Sequence, residues 1–164
     1  MCSSEEKLIY DTYVEGNLIT KDLLQLVKRR SKKLDCEIYR GIFAPNLVLK
    51  IGTDINKYYH NKLMSFSKNF NIAKEFTNKS FLDESVINSL KKDGQDVDYS
   101  YCPGDYSVFS KVVIRMKNIN SLDIYDEYEN KLYDREKEVL VATEPLYIQS
   151  VTKEGDTIIA DCIM

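Results

Sequence analysis

Residues 36–43 read Cys36-Glu37-Ile38-Tyr39-Arg40-Gly41-Ile42-Phe43. The run is rich in β-branched and aromatic side chains, the composition of a strand. What precedes it is helical. Residues 18–34 carry Leu23, Leu24, Val27 and Leu34 on one face, with Thr20 placed to cap and Asp22 in the first turn. Basic residues (Lys28-Arg29-Arg30-Ser31-Lys32-Lys33) crowd its end, where they complement the helix dipole and form a solvated face. After the strand, the pattern predicts a helix over 53–62, a short strand over 63–67, a short helix over 69–76 with Asn69 near its cap, and a helix over 81–92 ending at Asp93-Gly94. Residues 95–105 hold the Pro103-Gly104 turn signal and read as a loop. The chain then turns β: 106–116, 138–143, 145–151 and 157–163 alternate or run apolar at strand length, with a polar, Tyr-rich loop over 120–135. Helices with two strands, followed by a run of strands, predict an α+β fold with a mixed or antiparallel sheet.

Composition bounds the rest. At 164 residues and 19.1 kDa, residues 1–164 fit a single domain with a proper core. Hydrophobic residues make up 43% and charged residues 30%, which is globular composition. A net charge of −3 gives no general pull toward nucleic acid or an anionic membrane, so neither is expected as a partner. The four cysteines are scattered at 2, 36, 102 and 162 beside a single histidine, His60, and no metal is expected from that spacing. Reduced thiols and a cytoplasmic location, with no signal peptide and no span of about 20 apolar residues, complete the expectation.

Three short stretches carry polar groups in suggestive order. Arg40 lies inside an apolar strand, where an arginine either snorkels out or is held for an anion or a buried carboxylate. Gly41 after it permits close approach to the backbone. Ser65-Phe66-Ser67 places two hydroxyls on one strand face just before a helix, where serine also serves as an ordinary cap. In Glu136-Lys137-Glu138, residues two apart on a strand project to one side, so two carboxylates would stand together. Taken alone, that tripeptide reads as a charged strand end.

Taken in order, these stretches are more specific. Tyr39-Arg40-Gly41, then Ser65-Phe66-Ser67 with Ala73-Lys74-Glu75-Phe76 after it, then Glu136-Lys137-Glu138 leading into Val139-Leu140-Val141, resembles the mono-ADP-ribosyltransferases of the Arg–Ser–Glu class. That class includes bacterial toxins and small phage enzymes that modify host proteins, and the resemblance covers about residues 36–152. Phe66 stands where the class often has threonine.

The resemblance implies two small mixed or antiparallel sheets forming an NAD cleft, with the N-terminal helices packed around it. It implies NAD as substrate, no metal, and a target protein of a host cell as partner. Arg40 would contact the NAD phosphates, Gly41 would offer its backbone to the nicotinamide amide, and Ser65 would orient Glu138 while Ser67 supports the strand. Phe76 would face the nicotinamide ring, although a core-facing helix residue is an equal reading; Lys79 would reach a phosphate or simply be solvated. Glu138 would stabilise the oxocarbenium-like charge as nicotinamide leaves. Glu136 would receive the acceptor, and a glutamate there accompanies arginine acceptors in the class. Tyr133 sits where an aromatic recognises the acceptor, with Tyr125 and Tyr128 as weaker candidates. Hydrolysis of NAD by water, or a silent module keeping the fold for contact, are the alternatives.

Overall fold

Helix α1, Ser4–Gly16, starts where the Ser3 hydroxyl accepts the Glu6 amide at 3.2 Å. Helix α2, Lys21–Arg30, starts where the Thr20 side chain accepts from the Leu23 amide. Both are read from a computed structural model that describes residues 3–16, 19–59, 63–77, 109–124, 137–142 and 144–164. The expected helix over 18–34 is thus shorter at both ends. Ser31 caps it on the Val27 carbonyl, and Lys32–Lys33 then leave as strand β1. Two ties hold α1 on α2. Arg30 bonds Glu6 at 2.8 Å, and Tyr10 is fully buried with Leu23, Leu26 and Val27.

Strand β2 spans Glu37–Pro45 and β3 spans Leu63–Ser67, close to their expected bounds. Between them the chain forms a 3-10 turn at Asn46–Val48 and a short helix α3, Asn56–Tyr59. The expected helix over 53–62 is cut back because Asp54 bridges Tyr147, and its carboxylate accepts the Asn56 and Leu146 amides. Helix α4, Phe70–Glu75, follows β3 with Asn69 capping as expected. The expected helix over 81–92 and loop over 95–105 lie outside the described residues.

The C-terminal half supplies β4 (Phe109–Lys117), β5 (Asn120–Asp123), β6 (Glu138–Ala142), β7 (Tyr147–Glu154) and β8 (Thr157–Ile163). β5 corrects the reading of 120–135 as loop throughout. Its four residues earn strand geometry by pairing with β6 and β1, and Ser121 and Leu122 are buried there. The strands are bonded in the order β1-β5-β6-β3-β2-β4-β8-β7, antiparallel except for β4 beside β8.

This array is creased. β2 pairs with β4 along its whole length, from Glu37 opposite Lys117 to Pro45 opposite Phe109, but meets β3 only at Tyr39 opposite Ser67. Two half-sheets therefore join at one residue pair. One face of both halves feeds a common core, with Met64, Phe66, Val139 and Val141 from one side meeting Ile38, Ile42, Val112 and Ile114 from the other. The outer face of the β3–β6 half is covered by α1 and α2 through Leu63, Leu122 and Leu140. The outer face of β2 is covered by α4. Gly41 makes that possible, because a Cβ there would stand 1.8 Å from the Ala73 carbonyl oxygen.

Candidate active site

Strand alternation decides which side chains share a face. Ser67 is opposite Glu138, and Ser65 is opposite Leu140, so Ser65, Ser67 and Glu138 all lie on the helix-covered face of the β3–β6 half. Glu138 opens β6 and is only 4% exposed. Its Oε2 accepts two hydroxyls, one from Ser65 beside it in the sheet and one from Tyr13 of α1 at 2.7 Å above it. Its Oε1 is buried and has no hydrogen-bond partner among the described residues. Buried carboxylate oxygens are normally paired, so this atom needs an explanation.

Arg40 reaches the same place from the crease. If the β2–β3 ladder continued past Tyr39 and Ser67, Gly41 would come to face Ser65. Instead the Arg40 guanidinium donates to the Ser65 carbonyl at 2.9 Å. An arginine thus takes the position of a missing ladder donor, half-buried between the two halves. Its charge also reaches Glu138. Burial raises the Glu138 carboxyl above the usual carboxylate range, while the hydrogen bonds from Ser65 and Tyr13 and the charge of Arg40 pull it back down.

The structure therefore brings together Arg40, Ser65 and Glu138. Ser67 is buried next to them, and its hydroxyl accepts the Asn69 amide at 3.0 Å, which ties β3 to the cap of α4. Gly41 lies beneath the last turn of α4. Phe76 is the C-cap of that helix and is 41% exposed, so it is not the core-facing residue that one of its readings required. Glu136 and Tyr133, like Lys79, Tyr125 and Tyr128, lie outside the described residues.

Glu136 and Glu138 were expected to share a face by strand alternation, but β6 begins only at Glu138. Lys137 before it has φ of 45°, the left-handed region. The alternation stops there, so it cannot fix the direction of Glu136. The kink is held by the Lys68 amide, which donates to the Lys137 carbonyl at 3.1 Å, while the Lys68 ammonium pairs with Asp123 at 2.6 Å.

Tyr13 is the residue that sequence reasoning missed. The Ser3–Glu6 capping pattern and the helical spacing of Ile9, Tyr10, Tyr13 and Val14 mark a helix, but only its docking brings the hydroxyl to Glu138. A cavity of about 730 Å³ lies elsewhere, beside the end of α4, and includes Phe43, Phe109, Lys111 and Lys153 in its lining. None of Arg40, Ser65 or Glu138 lines it, so it does not mark this cluster. Among the described residues no group of His, Cys, Asp and Glu could hold a metal ion, and no helix is long and apolar enough to cross a membrane.

No protein-family model matches the chain, and no curated protein sequence matches it. Solved structures do resemble it. A crystal structure of the ADP-ribosyltransferase Vis in complex with the M6 inhibitor superposes with a TM-score of 0.50 at 16% identity, over 97% of this chain and 67% of that one. A second structure of Vis, a toxin from Vibrio splendidus, gives 0.49 at 16% identity over 92% and 59%. HopU1, an ADP-ribosyltransferase of Pseudomonas syringae pv. Tomato DC3000, gives 0.36 at 14% over 86% and 49%. The chain spans about half to two thirds of the length of these proteins. At such identity the likeness is one of fold, and it rests on the first comparison: the chain has an α+β fold of the ADP-ribosyltransferase type.

Proposed function

We propose that the chain transfers ADP-ribose from NAD to a protein side chain, as an enzyme of the Arg–Ser–Glu class with arginine as acceptor. The observation that carries this reading is Glu138, a buried carboxylate with one oxygen held by two hydroxyls and the other without a hydrogen-bond partner among the described residues, beside a fixed arginine. Such a group suits a reaction in which positive charge builds on a sugar.

The bond to be broken joins C1 of the ribose to the nicotinamide nitrogen. Nicotinamide leaves neutral with the bonding electron pair, and the sugar becomes oxocarbenium-like. Glu138 Oε1 accepts a hydrogen bond from the adjoining 2′-hydroxyl, and the ionised carboxylate stabilises the developing charge. Burial strengthens that attraction because little water screens it. Arg40 holds the phosphates, for which a permanently charged, forked donor is suited. Ser65 fixes the carboxylate, Gly41 offers its backbone to the nicotinamide amide, Ser67 supports the strand, and the exposed Phe76 ring covers the nicotinamide. Glu136 orients an acceptor guanidinium and takes its proton as the new C–N bond forms. Tyr133 stacks on that guanidinium. The substrate set is NAD and a protein, in keeping with a phage enzyme or toxin acting on a host target.

The test is incubation with labelled NAD and a host lysate, followed by mass spectrometry of the labelled residue. Arginine labelling is expected. Labelling on cysteine or asparagine would overturn the acceptor assignment, and free ADP-ribose without labelled protein would make the chain an NAD glycohydrolase. Glu138→Gln is expected to abolish both transfer and hydrolysis, whereas Glu136→Gln should lose transfer to arginine and keep much of the hydrolysis. Full activity in Glu138→Gln would sink the reading as a whole.

A further inference from the structure

We infer that Tyr13 is a positioning residue of this site, which together with Ser65 fixes the plane of the Glu138 carboxylate and leaves Oε1 as the oxygen with no hydrogen-bond partner among the described residues. The inference rests on the proposed role of Glu138. It is carried by geometry: both hydroxyls donate to Oε2, one from within the sheet and one from the helix above it. A single donor leaves a carboxylate free to swing about that bond. Two donors from separate elements hold its plane.

The helix that brings Tyr13 is itself anchored. Arg30 of α2 bonds Glu6 one face over, and Tyr10, a turn before Tyr13, is buried in the cluster that contains Leu140 of β6. Tyr13 is therefore set over Glu138 by contacts that do not involve the carboxylate. Around Glu138, β3 presents Ser65 and Ser67, β2 presents Arg40, and α2 presents the apolar Leu23, Leu26 and Val27. On β5 the acid is Asp123, opposite Val139 and already paired with Lys68, and the preceding Lys137 is exposed. Tyr13 and Ser65 donate the two hydrogen bonds that favour the ionised form of Glu138, with Arg40 acting by charge.

The experiment measures nicotinamide release from NAD across pH for the wild type, Tyr13→Phe and Thr12→Ala. Phenylalanine keeps the ring and its packing, and α1 stays docked through Tyr10 and the Glu6–Arg30 pair. Tyr13→Phe is expected to lower kcat about tenfold or more with KM little changed. Its acid limb should move to higher pH, because the carboxylate has lost a bond that favours its charged form. Thr12→Ala, on the same helix, should match the wild type. A Tyr13→Phe enzyme with unchanged kcat and pH profile overturns the inference, as does a change confined to KM, which would make Tyr13 an NAD contact instead. The second measurement needs no turnover: the 13C carboxyl signal of Glu138, titrated in both proteins, should have its midpoint raised in Tyr13→Phe. If the wild type releases no nicotinamide, the reading of Glu138 falls, while this titration still decides whether Tyr13 controls the carboxylate.

Discussion

At the scale of single residues, Glu138 sets function against stability. Its carboxyl is raised in the folded protein, chiefly by burial. A raised carboxyl means that the folded state binds its proton more tightly than the unfolded chain. The resulting stability is present below the unfolded pKa and is lost as pH rises through the folded one. At neutral pH the ionised side chain therefore weakens the fold. Glu138→Gln is expected to raise the thermal midpoint at pH 7 by about 2–4 °C, with the gain vanishing toward pH 4. Scanning calorimetry at the two pH values checks this, and a lower midpoint at pH 7 would contradict it. Arg40, Ser65 and Glu138 were legible in the sequence because their order along the chain is distinctive. Tyr13 was not, since its partner lies 125 residues away and nothing local distinguishes it from other helix-face tyrosines.

Among the elements, α4 and β2 depend on each other through Gly41. The resemblance gave this glycine a ligand, yet its surroundings show a packing reason that stands without one. The atom a Cβ would meet at 1.8 Å is a backbone oxygen, which cannot swing aside as a side chain would. Gly41→Ala should therefore destabilise the protein by about 1–3 kcal/mol through overpacking, measured as a lower urea midpoint. A wild-type midpoint would mean that α4 shifts freely. Strand and helix identities were largely readable here because their patterns are local. The Asn69 and Thr20 caps stand as expected. The failures came where a partner overrides local pattern. Asn120–Asp123 becomes a strand only beside β6 and β1, and Lys32–Lys33 leave the helix to pair with β5.

At the scale of the whole molecule, the described residues form two half-sheets that share a core and are joined at Tyr39–Ser67 and by the Arg40 bond to the Ser65 carbonyl. The α+β class followed from the order of the elements, but no sequence pattern reveals that a ladder stops after one pair. A ligand that engages Arg40 and Glu138 would span both halves and restrain the crease. NAD is therefore expected to slow amide hydrogen exchange at Gly41 and Ser65 more than at Val112 or Val113, where β4 is paired on both sides. Uniform protection, or none, would argue that the halves already move as one. Arg115 and Asp161 help keep the far half rigid through a bidentate pair at 2.6 and 2.9 Å.

The left-handed kink at Lys137 has a consequence for descent as well as for chemistry. Glu138 and the three residues after it in β6 are buried, and at Lys137 the extended strand conformation ends. Under the proposed division of labour, NAD is broken by Glu138 after the kink and the acceptor is chosen by Glu136 ahead of it. Lineages could then exchange one target for another by rewriting the residues ahead of Lys137. The inherited bond-breaking carboxylate would pass through such changes untouched.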